Sequence, residues 1–546
     1  MTRLAWCISG YLLSALVMLW PMARSGGRLL PGTERGDLWN GLWSFWAFGR
    51  DDANRLLGFP DGGVIEVADL VNAWIIDMLP GAPDVVVAWS VLVFAHVVMA
   101  GVLAHLLALR LQVSGAGAWL AGLAYQWAPV QLSGLHNGST EAVGAGWLAA
   151  AVLGLLWAVE LRDGQARHHV VTRCVVTGVL GALCTVANWY AGVCFGIFLV
   201  GLSLYRRQRA TVLRVIGVFI VLAGVVLPVA LKVHAAATSA DSVVRIKMDR
   251  ETELVRRTIG AVDPVVFVRP GDYRSPDFRV LSRYGEDFIH CAYVGWSVLL
   301  LSAVGWRRRK ALRWLGGVAL GTALLSLGPV LVSEGQPLLF ADQRGVPLPY
   351  FLLEALPGFS ALSLLYRLGQ GVSLALALLA GAGLIALVEG KRSTQWLLIV
   401  VVLFEFRFVA PTAGLPHFSD ASESDVFTEL ARAPDGAVMN FPVVGGRRYL
   451  FEQTLHGKPL AASLNFPNNP AAQRGWETID HALRAKDDTD VVSAIGREMK
   501  ALGLRYLVVH SDPFARPDMH DRIVQSLGQV LHPLAQEEDV LIYALW

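Results

Sequence analysis

Apolar runs long enough to cross about 30 Å of hydrocarbon recur from the N-terminus to about residue 410, and no feature of this chain restricts its fold more. In hydrocarbon every backbone N–H and C=O must find an internal partner, so such runs fold as packed helices. A porin-like barrel would show short alternating segments, which are absent. The sequence places about eleven crossings, near residues 4–22, 85–109, 116–134, 141–159, 172–187, 190–204, 211–231, 289–305, 311–328, 371–389 and 395–410. Composition agrees: of 546 residues 54% are hydrophobic, 16% are charged and 18 are Trp, unlike an ordinary soluble enzyme.

Arginine and lysine set the orientation. Clusters at Arg206-Arg207-Gln208-Arg209, Arg307-Arg308-Arg309-Lys310 and Lys391-Arg392 each follow an apolar run, and cytoplasmic loops carry the excess of these residues. The stretch Thr177 to Tyr205 admits one long helix or a hairpin turning near Asn188-Trp189-Tyr190. Only the hairpin keeps all the basic clusters on one side. With the N-terminus inside, loops 23–84, 232–288 and 329–370 then face outward, as does everything after residue 410.

Those loops differ in character. The first carries Trp39, Trp43, Phe45, Trp46 and Phe48, an aromatic strip suited to helices lying at headgroup depth. The second mixes many charges with prolines, and part of the third could re-enter the membrane without crossing. Residues 411–546 have ordinary surface charge and short apolar strings at Gly436 to Phe441, Leu504 to Val509 and Val540 to Tyr543, separated by helical stretches such as Asp487 to Ala501. That pattern predicts a small soluble α/β domain on the outer side.

Several classes are excluded or left without support. A net charge of +2 gives no reason to expect nucleic acid. The five cysteines sit in or beside apolar runs without metal-ligand spacing, and read as buried thiols. No P-loop, dinucleotide fingerprint, HExxH signature or internal repeat is present, which argues against an ATP-hydrolysing pump.

The candidate chemistry is carboxylate and guanidinium. Asp37, in Gly36-Asp37-Leu38-Trp39-Asn40, could take a proton from an acceptor hydroxyl or help to hold a divalent cation; it could equally cap the helix that follows. Glu66 and Asp69, three apart, would share a helix face and could share a metal, though acidic residues after a Gly-Gly turn are commonplace. His136, Asn137, Ser139, Thr140 and Glu141 lie in a short outer loop and could line a site or be solvated turn residues. Arg344 and Arg367 flank the third loop with few carboxylates nearby and are the first candidates for a lipid phosphate, ahead of Arg269 and its neighbours. Trp189 and Tyr190, at the hairpin tip, could pack on a sugar or prenyl chain or anchor the interface.

Taken together, Asp37, two amphipathic stretches before Asp84, the His136 loop, Leu327-Gly328-Pro329, Pro349-Tyr350, Leu356-Pro357-Gly358-Phe359 and Tyr366-Arg367 resemble the GT-C class of membrane glycosyltransferases, over residues 1–410. The resemblance implies a bacterial inner-membrane enzyme that moves a sugar from a polyprenyl-phosphate donor to a glycan, lipid or protein acceptor on the periplasmic face, with inversion. It implies Asp37 as base, Arg367 facing the donor phosphate, and Glu66, Asp69 or Glu141 assisting or holding Mg²⁺ or Mn²⁺, with Asp37 and Glu141 as the metal pair. Relatives place acidic pairs near the membrane, whereas Asp37 stands beside Glu34 alone. The rival readings are a lipid-saccharide transporter, which would need internal pseudo-symmetry and charges within its helices, and a non-catalytic scaffold with an outer binding domain.

Overall fold

The computed structural model describes residues 2–546 except 64–68, 80–83, 140–143, 161–165, 239–259, 271–288, 334–335, 341–344, 355, 357–358, 360–361, 410–415, 442–446, 463–469, 485–487, 512–520, 522–523, 526, 529–530 and 538–539. The chain is mainly helical. Among the described residues five helices are long and apolar enough to cross a membrane: Val85–Arg110, Arg167–Ala187, Trp189–Arg206, Arg209–Ala236 and Leu365–Leu387. Shorter apolar helices at Leu4–Met18 and Ala145–Val159 accompany them.

Burial sorts these helices. The most hydrophobic 18-residue stretch within Leu365–Leu387 is 78% buried, while that within Arg209–Ala236 is only 6% buried. So much bare Val, Leu and Phe suits hydrocarbon rather than water. The central helix α13 (Gly369–Leu387) packs on α11 (Trp296–Arg308), where a Cβ on Gly383 would run into the Leu301 carbonyl and one on Gly305 into that of Leu379. Small residues let the two backbones touch.

Two of the expected runs are not single continuous helices. The 116–134 run breaks into α5 (Ala116–Gln126) and α6 (Pro129–Asn137), because Pro129 has no N–H and its ring disfavours helical geometry in the residue before it. The 289–305 run becomes helical only at Trp296; residues 289–295 are buried without regular structure. The cause is Glu405, in the last turn of α14 (Arg392–Phe408). It accepts from the Trp296 N–H at 2.5 Å, the Ser297 N–H at 3.0 Å, and the hydroxyls of Ser297 and Tyr293. Glu405 thus caps a helix that begins where this carboxylate lies.

After residue 417 a short strand β2 (Phe418–Asp420) pairs antiparallel with β1 (Leu29–Pro31), tying this part of the chain to the first long loop. Beyond it, β3 (Ala437–Phe441), β4 (Leu504–His510), β5 (Ala535–Glu537) and β6 (Val540–Ala544) form one sheet in the order β3-β4-β6-β5. Only β3 and β4 are parallel, in register from Val438 with Tyr506 to Phe441 with Val509, with a register shift between that run and the pair Ala437 with Leu504. The helices α15 (Asp425–Arg432) and α16 (Arg448–His456) pack beside this sheet.

The aromatic strip packs against other parts of the protein. Trp39 and Trp43 are fully buried, with Trp39 stacked on Phe451 at 5.1 Å and the Trp43 indole donating to Gln453 at 2.7 Å. The helix that carries them, α2 (Leu38–Ala47), is the seam between the membrane helices and the C-terminal sheet. Burial against other protein removes more of an indole from water than an interface does, and Gln453 satisfies its N–H.

Candidate active site

Asp37 is where these parts meet. It stands at the N-cap position of α2, yet its side chain makes no capping hydrogen bond. Its carboxylate instead faces two guanidinium groups, Arg447 at 3.0 Å on Oδ1 and Arg367 at 3.5 Å on Oδ2. The capping alternative is therefore set aside by geometry. Arg367 comes from the 3-10 turn Leu365–Leu368 at the head of α13 and is buried. Arg447 directly precedes α16, so the pair bridges the membrane core and the C-terminal sheet.

The backbone around Asp37 is fixed by the end of α6. The Asp37 N–H donates to the Asn137 carbonyl at 2.8 Å and that of Thr33 to the His136 carbonyl at 2.9 Å. Gly36 permits this approach, since a Cβ there would run into the Asn137 carbonyl. The Asn137 side chain, fully buried, accepts from the Ile289 N–H at 2.8 Å and donates to the Ile289 carbonyl at 3.1 Å and the Tyr366 hydroxyl at 3.3 Å. Tyr366 in turn stacks on His290 at 4.4 Å. The Arg367 guanidinium lies 5.6 Å from the Tyr190 ring centroid and 6.0 Å from that of Tyr366, two faces that favour a cation.

A second ion pair runs beside the first. Arg448 meets Glu34 at 3.4 Å and covers the Trp39 ring at 5.4 Å, and the Trp39 indole donates to Glu34 at 3.0 Å. Behind it lies Glu452, buried on α16, 3.9 Å from Arg448 and 3.4 Å from His510 at the end of β4. Burial pushes the Glu452 carboxyl up to about 8, against the pull of Arg448 and with the Glu34 charge adding to the rise.

The other candidates lie elsewhere or act otherwise. Asp69 caps α3 (Leu70–Asp77), accepting from the Asn72 N–H at 3.1 Å and its side-chain amide at 2.6 Å, while Asn72 also meets His96 at 2.9 Å. Burial raises the Asp69 carboxyl to about 7 despite those bonds. His136 is a brace: its Nδ1 accepts from the His417 N–H at 3.3 Å and its carbonyl from Thr33. Tyr190 adjoins Arg367 and accepts from the Leu364 N–H at 2.9 Å, while Trp189 only opens its helix, half-buried. Arg269 is exposed. Glu66, Glu141 and Arg344 fall outside the described residues.

A divalent cation does not fit the described part of this site. Among the described residues no three His, Cys, Asp or Glu side chains converge, and both Asp37 oxygens face fixed positive charge. A metal placed between two guanidinium groups would meet repulsion without the oxygen-rich shell that Mg²⁺ requires. Sequence reasoning missed Arg447, Arg448 and Glu405. A carboxylate inside an apolar run was a readable signal for Glu405, and adjacent arginines after Gly445-Gly446 were a weaker one for the pair.

No family model and no curated protein matches this sequence. Solved structures do. ArnT from Cupriavidus metallidurans in the apo state superposes with a TM-score of 0.53 at 12% identity, covering 100% of this chain and 99% of that one. The same enzyme bound to undecaprenyl phosphate gives 0.50 at 12%, covering 99% and 98%. The fold is that of the GT-C glycosyltransferases. Arabinofuranosyltransferase AftD from Mycobacteria gives 0.50 at 17% identity over 100% of this chain, which spans only 41% of AftD. At these identities the likeness is one of fold, and function must be argued from the site.

Proposed function

We propose that this protein transfers a sugar from a polyprenyl-phosphate donor to an acceptor hydroxyl at the outer face of a bacterial inner membrane, with inversion. The observation that carries this reading is the Asp37 carboxylate, unused as a cap and held against Arg367 where the membrane core meets the C-terminal sheet. In the reaction the bond between the anomeric carbon and the donor phosphate oxygen breaks as the acceptor oxygen attacks the opposite face of the sugar. The acceptor's proton passes to Asp37, and polyprenyl phosphate leaves with the electron pair. Arg367, desolvated between two tyrosine rings, stabilises the charge that grows on the leaving phosphate. Holding base and phosphate ligand in one place supplies the proximity that the displacement needs. In this reading eleven crossings put the N-terminus in the cytoplasm and residues 411–546 in the periplasm, where no nucleotide-activated donor is required.

Support also comes from neighbours of the same fold, one of which was solved with undecaprenyl phosphate bound. The decisive test is Asp37→Asn in full-length protein reconstituted in liposomes with a panel of polyprenyl-phosphate sugars. Release of polyprenyl phosphate is expected from the native protein and not from the variant. Equal turnover by both would end the assignment of Asp37 as base.

A further inference from the structure

Asp37 and Arg367 both rest on one short stretch of chain, residues 289–295, which is buried and without regular structure. At its first residue the Ile289 N–H and carbonyl are both taken by the Asn137 side chain, while the Asn137 carbonyl accepts from the Asp37 N–H. One residue on, His290 stacks on Tyr366 at 4.4 Å with the rings 13° from parallel, and Tyr366 directly precedes Arg367. Asn137 joins the two branches by donating to the Tyr366 hydroxyl at 3.3 Å. This strap therefore bears on the loop of the carboxylate and on the turn of the guanidinium at once. A stretch with no helix or sheet ladder of its own keeps its shape only through partners elsewhere. Asn137 holds the near end, and Val294 donates to the Phe267 carbonyl at 3.2 Å. The far end belongs to Glu405.

The two oxygens of Glu405 divide their work across that end. Oε2 accepts only from Ser297, by its N–H at 3.0 Å and by its hydroxyl, both inside α11. Oε1 accepts from the Trp296 N–H at 2.5 Å and also from the Tyr293 hydroxyl, which is part of the strap. Capping a helix accounts for the bonds to Trp296 and Ser297 and gives no reason for the one to Tyr293. Between them Gly295 turns at a φ of +85°, where a Cβ would lie 2.6 Å from the Phe406 ring, so the strap is seated against the residue that follows Glu405. We propose that Glu405, through Tyr293, is a positioning residue for sugar transfer, holding strap 289–295 taut so that the strap fixes Asp37 and Arg367 relative to each other. This rests on the glycosyl-transfer reading and deepens it. Without the Tyr293 bond the strap slackens, Ile289 and His290 bear less firmly on Asn137 and Tyr366, and base and phosphate ligand lose their alignment while α11 keeps its cap.

Two single-hydroxyl variants separate positioning from capping. Tyr293→Phe and Ser297→Ala each remove one hydroxyl from the same carboxylate, the first on the strap and the second on the helix. Both leave the backbone bonds of the cap in place, so neither depends on Glu405→Ala folding. The first measurement is amide hydrogen exchange at Thr33 and Asp37, whose N–H groups bond to the end of α6, on the full-length protein in nanodiscs. Tyr293→Phe is expected to speed exchange there by about tenfold and Ser297→Ala to leave it within about twofold. The second is polyprenyl-phosphate release in liposomes. Tyr293→Phe is expected to lower kcat by about tenfold with little change in KM, because alignment of base and phosphate ligand is exercised in the transition state, and Ser297→Ala to keep native kcat. Equal effects of the two variants, or unaltered exchange at Thr33 and Asp37 in Tyr293→Phe, reduce Glu405 to a helix cap and overturn the assignment. Faster exchange with native kcat overturns it as well. If the native protein releases no polyprenyl phosphate from any donor, the glycosyl-transfer reading falls, and the exchange comparison alone still decides whether the strap is held through Tyr293.

Discussion

Asp37 and Asp69 occupy the same position in two helices of one loop, directly before α2 and α3, and are put to opposite uses. Asp69 turns inward and accepts from Asn72, becoming a buried cap whose carboxyl burial raises to about 7. Asp37 leaves the amides of its helix without side-chain help and meets arginines 330 and 410 residues away in sequence. Each side chain finds partners, but of different kinds. A cap satisfies backbone donors locally and ends there, whereas a carboxylate between two guanidinium groups joins segments that are distant in the chain.

The widest gap between the two should appear in turnover. Asp37→Asn is expected to lower it by about 10²–10⁴-fold, the usual worth of a positioned base, while Asp69→Asn leaves it within about twofold; comparable losses in a liposome assay would break the contrast. Next in size is Asn137→Ala, which orphans the buried N–H and carbonyl of Ile289 beside the Asp37 loop. It should cost about 1–3 kcal/mol and lower the thermal midpoint; an unchanged midpoint would mean that this clasp does not hold the loop. Asp69→Ala should cost about 1 kcal/mol through the lost cap, read from the same melting curve. The smallest effect sharpens the Asp69 account. Its folded carboxyl near 7 lies above its ordinary 3.8, so its stabilising contribution is complete below about pH 3.8 and is lost as pH rises through 7. Asp69→Asn should flatten that part of the midpoint-against-pH curve, and a curve of unaltered slope would place the titration on another group.

The Asp37 site was partly legible. Asp37, Arg367 and Tyr190 stood out because charged or aromatic residues next to apolar runs have few neighbours to explain them. Arg447 did not, because an arginine pair in a charged segment looks like surface until Glu34 and Asp37 are seen opposite it. The packing of the aromatic strip was hidden for a related reason. Trp39 and Trp43 carry a composition that suits a membrane interface and a protein seam equally, and only Phe451 and Gln453 decide for the seam.

Periodicity and hydropathy, acting over a few turns, were enough to determine that this chain is a bundle of apolar helices followed by short strands. These are local properties, because a helix satisfies its own backbone and announces its length in sequence. What only the tertiary structure decided is that Gly295 ends a stretch without regular structure where Glu405 starts a helix, and that the carboxylate of Asp37 faces both Arg367 and Arg447. Such choices depend on side chains hundreds of residues apart arriving within a few ångströms, and a hydropathy pattern does not encode that distance.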